Sequence, residues 1–321
     1  VADHVGRRPV ILTGLALLVV TSVGCALAPN VILPGVFRTL QGIGAASYAP
    51  PIALAYLTEA TAPKHRAASV GAMATAFLVA GITGQVAASA LAHEGTWRWL
   101  FAGSGIVFLA FGLAVLVLLT EPARTRETTL AGQFRNLGQL LTQPRILLLA
   151  GALTTLLLSF VAMYYALGPH LEAAGLSSGA VLMFRLVGLP GMFVALLAGP
   201  LATRIGVAAT ARVGFLLAAV GLVGEAALSA TVVGTAMASL VFVTGVALAV
   251  PSMITLLGMS SAPHRGAGIA LNGFFLFLGA SLGPLTTQLN LGFASLLLCL
   301  AALLCLAAVL VTGFLRMDGT H

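Results

Sequence analysis

The chain has 321 residues, 60% of them hydrophobic and only 7% charged, with a mean hydropathy of +1.09. Soluble globular domains are about a quarter charged, so this composition excludes that class and fits a polytopic membrane protein. The net charge of +7 sits in short segments between apolar runs, which makes it a topological signal and not a nucleic-acid footprint.

Apolar runs cover residues 10–27, 31–57, 67–91, 100–119, 146–167, 179–201, 207–228, 232–257, 266–289 and 292–315, which predicts ten spans. Helices are expected, because barrel strands would be about 10 residues long with strict alternation. The 37 Gly and 14 Pro are tolerable where neighbouring helices re-satisfy freed backbone groups. With residue 1 inside, twelve of the 15 Lys and Arg fall on inside segments, from Arg7 and Arg8 to Arg316. Arg98 alone falls outside, and Arg38 and Arg185 lie within spans. The positive-inside rule then makes both ends of this chain cytoplasmic, in a multi-pass protein of a cell (inner or plasma) membrane. Cys25, Cys299 and Cys305 fall in apolar spans and read as small core residues. The sequence holds no His-Glu pair at metal spacing and no phosphate loop after a strand, so no enzyme, metal or cofactor is expected.

In chain order, Asp3 precedes a helix start, Gly6 permits a tight turn, Arg7 and Arg8 hold the loop inside, and Pro9 suits a first helical turn. The span at 31–57 carries Arg38, with Gln41 at i+3 and Ala45 at i+7 on the same face. A cation in hydrocarbon costs at least about 2.5 kcal/mol, so Arg38 is expected to face a wet cavity or a partner; the alternative is an arginine that snorkels to the near interface. Gly42, Gly44, Ala45 and Ala46 allow close helix approach, and Tyr48 continues the assigned path. Gln85 is a polar group at membrane depth, for a helix–helix bond or a cavity contact. Trp97-Arg98-Trp99 reads as an interfacial anchor.

Residues 120–144 form the only long polar segment and the domain boundary, separating residues 1–119 from residues 145–321. Within it Leu130, Phe134, Leu137 and Leu141 have the spacing of an amphipathic helix on a membrane surface. Further on, Arg185 and Glu225 lie at similar depth; they pair, or Glu225 reaches the outer interface alone. Tyr164, Tyr165, Asn272 and the Phe274, Phe275, Phe277 cluster either line an aromatic cavity for an amphipathic organic molecule or simply pack.

The chain repeats itself. His65-Arg66-Ala67-Ala68 aligns with His264-Arg265-Gly266-Ala267, an offset of 199, and residues 1–6 align with 201–206, an offset of 200. Two like-oriented halves follow. The second half has two spans ahead of its copy of the turn and the first has none, so a full copy is expected to add about 55 residues and two helices before Val1.

Two stretches carry a family resemblance. Asp3-His4-Val5-Gly6-Arg7-Arg8 resembles the loop signature of the major facilitator superfamily between its second and third helices. Arg38, Gln41, Gly42, Gly44 and Ala45 stand at the spacing of its fourth-helix signature. Where the drug:proton antiporters of the family carry Gly-Pro, this chain has Gly84-Gln85, and Gly283-Pro284 lies at the repeat-related place. The resemblance implies an all-α bundle in two pseudo-symmetric halves, with ten of twelve helices present. It also implies a cytoplasmic gate in which Asp3, Gly6, Arg7 and Arg8 meet Glu59. Its substrate and proton path would use Arg38, Gln41, Tyr48, Gln85, Tyr164, Arg185 and Asn272.

The implied activity is that of a multidrug-resistance efflux antiporter: a small amphipathic organic solute or drug exported by alternating access in exchange for protons. Its partners would be the lipid bilayer, the solute and protons, and the protein would be a monomer. The alternatives are an uptake carrier or facilitator of the same superfamily, an inactive truncated fragment, and a non-transporting receptor or assembly component.

Overall fold

The computed structural model describes residues 6–30, 32–48, 61–62, 65–93, 97–119 and 130–318. Asp3 and Glu59, and with them the expected contact of Glu59 with Arg7 or Arg8, lie outside the described residues. The side chains of Arg7, Tyr48 and Gln85 are likewise outside what is described. The described residues are all-α, without a strand.

Among the described residues, nine of the ten expected spans are present as helices long and apolar enough to cross a membrane. They run Arg8–Leu27, Gly71–Ala88, Trp97–Leu118, Pro144–Ala173, Ser178–Ile205, Val207–Ala227, Val232–Ser260, Gly266–Leu289 and Phe293–Met317. The span expected at 31–57 is helical over Ile32–Tyr48, and its remainder lies outside the described residues. The helix expected in the polar segment forms over Leu130–Leu141.

One span departs from the simple rod that hydropathy suggests. Between Ser178 and Ile205 three α-helical pieces, Ser178–Arg185, Leu189–Met192 and Ala198–Ile205, are joined by 3-10 turns at Leu186–Gly188 and Phe193–Leu197. Pro190 has no N–H to give to the preceding turn, and the glycines around it impose no side-chain constraint. The same chemistry at Gly283-Pro284 turns the end of the Arg265–Leu282 helix into the 3-10 helix Gly283–Leu289.

The chain divides into two compact units, residues Val1–Ala60 with Ala87–Arg135, and Thr61–Val86 with Asn136–His321. In the first unit the Arg7–Leu27 helix packs against both Ile32–Tyr48 and Trp97–Leu118. Ile11, Leu15 and Leu18 form its core, with Phe108, Val115 and Leu119 against them. Gly44 makes the close approach expected of the small residues: a Cβ there would lie 3.1 Å from the Gly14 carbonyl oxygen and from Leu18.

Two arginines tie this unit at opposite ends. Arg8 opens the Arg7–Leu27 helix and donates from Nη2 to the Leu116 carbonyl at 2.6 Å, in the last turn of Trp97–Leu118. Arg98 opens the Trp97–Leu118 helix and donates from Nη2 to the Ala28 carbonyl at 2.9 Å, at the C-cap of Arg7–Leu27. The helices are antiparallel, so each supplies the cation that the other's C-terminal carbonyls attract. Trp97 adds its ring, 5.2 Å from the Arg98 guanidinium.

In the second unit the helices Val207–Ala227 and Val232–Ser260 make the closest pairing. A Cβ on Gly214 would lie 2.6 Å from the Ala249 nitrogen, and Gly221 and Gly245 abut the backbones of Phe242 and Ala218. Phe215 and Phe242, one on each helix, are fully buried. Glycine is required at these three positions by backbone proximity alone.

The internal repeat is visible in backbone geometry. Gly6 has φ 110° and ψ 153°, Gly206 has φ 89° and ψ 152°, and each caps the start of a 21-residue helix. Both values of φ lie where L side chains are strained. The next helices begin at Ile32 and Val232, and the following ones at Arg66 and Arg265.

Replacing Gly221 by Val should lower the thermal unfolding midpoint of the detergent-purified protein by the equivalent of at least about 1–3 kcal/mol, the usual cost of overpacking. Gly273→Ala is the control, since nothing lies within 4 Å of a Cβ at Gly273. Equal midpoints for the two variants would show that the seam is not tight.

Candidate functional site

Among the described residues, polar side chains meet in each of the two units. In the first, Arg38 Nη1 donates to Gln41 Oε1 at 3.1 Å, one turn further along the Ile32–Tyr48 helix. Gln41 is 6% exposed, and its Nε2 donates to Ser22 Oγ at 2.8 Å on the Arg7–Leu27 helix. The ring of Phe101 lies 5.3 Å from the Arg38 guanidinium. A chain of donors and acceptors therefore runs from an exposed cation inward to a buried hydroxyl.

The helix is built for this. Arg38, Gln41 and Ala45 share one face, and the exposed apolar residues Ile32, Val36 and Ile43 share the opposite one. A partly open cavity of about 380 Å³ lies on the polar side, lined by Arg38, Gln41, Gly42, Ala45, Phe101 and Ser104 among others. The Arg38 guanidinium is engaged by Gln41 and by the face of Phe101. A second cleft of equal volume beside Leu91, Trp99 and Val107 presents almost only apolar atoms and offers nothing to orient a polar solute.

Tyr164 and Arg185 meet in the second unit. Arg185 Nη2 donates to the Tyr164 carbonyl at 3.4 Å. Tyr164 is 1% exposed, packs its ring 5.0 Å from that of Phe160, and brings its hydroxyl against Gly188, where a Cβ would lie 2.6 Å away. That hydroxyl points toward Ser239 without reaching hydrogen-bond geometry.

Glu225 follows neither expectation made for it. It is fully buried and does not reach an interface, and its carboxyl oxygens make no hydrogen bond to Arg185 or to any other described residue. Its helix packs against Val232–Ser260 and Phe293–Asp318.

Asn272 is buried, with Oδ1 unbonded, on the same side of its helix as Leu271 and Leu276. Phe274 and Phe277 point away from it and are exposed, and Phe277 meets Phe77 edge-on with centroids 5.8 Å apart. Tyr165 is 52% exposed beside the buried Tyr164. The expected aromatic cavity around Asn272, Tyr164 and Tyr165 is thus split between buried and exposed faces.

Of the gate residues, Gly6 holds its positive-φ turn and Arg8 bonds the Leu116 carbonyl. Sequence reasoning missed Ser22, Phe101 and Ser239. Each is an ordinary residue of an apolar span, and nothing in its neighbourhood in the chain marks it as a partner.

A test of the cavity follows from its lining. With Cys25, Cys299 and Cys305 replaced by serine or alanine, Ala45→Cys should react with a water-soluble thiol reagent in membranes. Leu15→Cys, at a position 4% exposed, should not. Equal protection of both would show that water does not enter.

A family model described as the Major Facilitator Superfamily matches residues 1–284. The multidrug resistance protein B homolog of Mycobacterium tuberculosis is 28% identical over 143 residues, 44% of this chain and 26% of that protein. The multidrug transporter MdfA of Yersinia pestis is 30% identical over 149 residues, 46% of this chain and 36% of that one. The multidrug transporter MdtP of Bacillus subtilis is 27% identical over 128 residues, covering 40% and 23%. These alignments therefore span roughly a quarter to a third of the relatives' length. Among solved structures the fucose:proton symporter FucP of E. coli has the same fold, with a TM-score of 0.71 at 14% identity over 98% of this chain and 85% of that one.

Proposed function

Because this chain belongs to the major facilitator superfamily, a family of membrane transporters and not of enzymes, we propose that it exports a small amphipathic organic solute across a cell membrane in exchange for protons. The mechanism is alternating access, in which two helical halves rock about a central path. The observation that carries this reading is the Arg38–Gln41–Ser22 chain facing the cavity of about 380 Å³. A cation kept on a spanning helix and held by specific partners marks a solute or ion pathway. The mixed lining, with Phe101 beside Arg38 and Gln41, suits a molecule with both an apolar body and a polar group. The multidrug transporter names of the relatives support the choice of solute class.

In this reading Arg38 and Gln41 in one unit, and Tyr164, Arg185 and Asn272 in the other, are the polar groups of the path, together with Tyr48 and Gln85. Asp3, Gly6, Arg7, Arg8 and Glu59 form the cytoplasmic gate. Both ends of this chain are cytoplasmic, and the working unit is a monomer.

Arg38→Ala in everted membrane vesicles should lower proton-driven accumulation of a lipophilic cationic dye at least roughly tenfold, the equivalent of one lost charge-assisted hydrogen bond. Arg38→Lys should recover part of it, because the charge remains while the planar donor fork is lost. Export unaltered in Arg38→Ala would remove the first-unit cavity from the path.

A further inference from the structure

The span Pro144–Ala173 carries a proline close to its far end, the outer one in the orientation proposed above. Pro169 has no N–H to give to the Tyr165 carbonyl, so the helix loses a bond there. The next span breaks at a matching depth, where Ser178–Arg185 gives way to the 3-10 turn Leu186–Gly188. Contacts put the two weak points side by side. Arg185 Nη2 donates to the Tyr164 carbonyl at 3.4 Å, and a Cβ on Gly168 would lie 3.5 Å from that same nitrogen. A Cβ on Gly188 would lie 2.6 Å from Tyr164 Oη. Prolines and mid-span 3-10 turns are the usual places for a helix to bend.

Beyond this level, residues 168–185 hold together as a hairpin. Gly175, at φ 91°, makes the turn between its arms. Ser178 Oγ donates to Glu172 Oε1 at 3.4 Å, and Ser177 Oγ caps the second arm by accepting from the Ala180 N–H. Val181 Cγ1 would lie 4.0 Å from a Cβ on Gly168 in the first arm. Ser178–Arg185 packs on Pro144–Ala173 and on its own 3-10 turn. From Leu186 to Ile205 the support is different, because Val232–Ser260 packs against each successive piece. A Cβ on Gly188 would lie 3.0 Å from Val243, and one on Gly191 3.1 Å from the Leu240 carbonyl oxygen. Val232–Ser260 therefore grips the base of the hairpin.

His170 fastens the hairpin to the rest of the unit. Its Nε2 donates to the Ser229 carbonyl at 3.0 Å, in the turn between Val207–Ala227 and Val232–Ser260. Its ring stacks on Phe293, with centroids 4.0 Å apart and planes 7° from parallel, at the start of Phe293–Asp318. The next residue, Leu171, is buried but adds no directional bond. One imidazole thus joins the hairpin to two other helical elements through one hydrogen bond and one stack, and both depend steeply on position.

We propose that residues 168–185 form a hinged flap at the outer end of the second unit, latched by His170 in the position described and released during the transport cycle. Release during transport rests on the carrier reading above; the hinge and the latch do not.

Spin-label distances in liposomes read the latch. With Cys25, Cys299 and Cys305 replaced, one label goes on the flap by Ala180→Cys and the other on Val233→Cys, at a position 75% exposed beyond it. The unmodified latch should give one narrow distance. In His170→Ala a second distance should appear, the equivalent of about a tenfold shift toward the released flap. A control pair at Val220→Cys and Val309→Cys, both exposed and outside the flap, should not move. If His170→Ala disturbs the control pair, His170→Phe decides, because it keeps a ring against Phe293 and loses only the donor. A single distance retained in both variants overturns the proposal. His170→Cys with Phe293→Cys, joined by a short bis-methanethiosulfonate, fixes the latch. Counterflow of the lipophilic cationic dye should then be lost and should return on reduction. Counterflow that survives the cross-link overturns release during transport. Absence of counterflow in the unmodified chain, with the second distance present in His170→Ala, sinks the carrier reading and keeps the latch.

Discussion

Lipid gives apolar helices no reason to prefer one another, so what holds this fold together is contact at the level of the backbone. The seam of Gly214, Gly221 and Gly245 shows this most directly, since each glycine meets the main chain of the neighbouring helix where any side chain would intrude. The large side chains Phe215 and Phe242 can be fully buried beside the seam because the helices are already that close. In the first unit Gly44 does the same against Gly14 and Leu18. Close approach then decides which polar groups can reach each other. Ser22 meets Gln41 only because the two helices that carry them are in contact.

Much of this was legible in the sequence because hydropathy and repetition are properties of the chain itself. The apolar runs mark the spans, and the offset of 200 residues correctly pairs Gly6 with Gly206, two turns of nearly the same backbone conformation. The interrupted span between Ser178 and Ile205 was less visible, since Pro190 and the glycines near it are as apolar by hydropathy as the rod they break. Site residues were legible to the extent that they were anomalous. Arg38 stands out because hydrocarbon penalises it, whereas Ser22, Phe101 and Ser239 are acceptable anywhere in a span. Adjacent residues were also beyond reach: Tyr164 is buried and Tyr165 exposed, a difference set by which way a helix is turned. Glu225 was misjudged for the same reason, because its distance from the end of a helix says nothing about what covers it.

The two polar clusters differ in kind. In the first unit the polar groups satisfy one another, with the cation, amide and hydroxyl in sequence from the cavity inward. In the second unit Tyr164, Glu225 and Arg185 each leave a hydrogen bond unmade. Satisfied networks rigidify their surroundings, and unsatisfied ones favour rearrangement. The same contrast appears in the backbone, since the first cluster lies on continuous helices and the second borders a 3-10 interruption.

The reciprocal arginines of the first unit have a mechanical corollary. Arg8 holds the Leu116 carbonyl and Arg98 holds the Ala28 carbonyl, at the two ends of one antiparallel pair. Sliding either rod along the other by a single turn, about 5.4 Å, would pull both attachments apart at once. The pair is register-locked and behaves as a strut, so any shape change in that unit has to be accommodated by the helices around it.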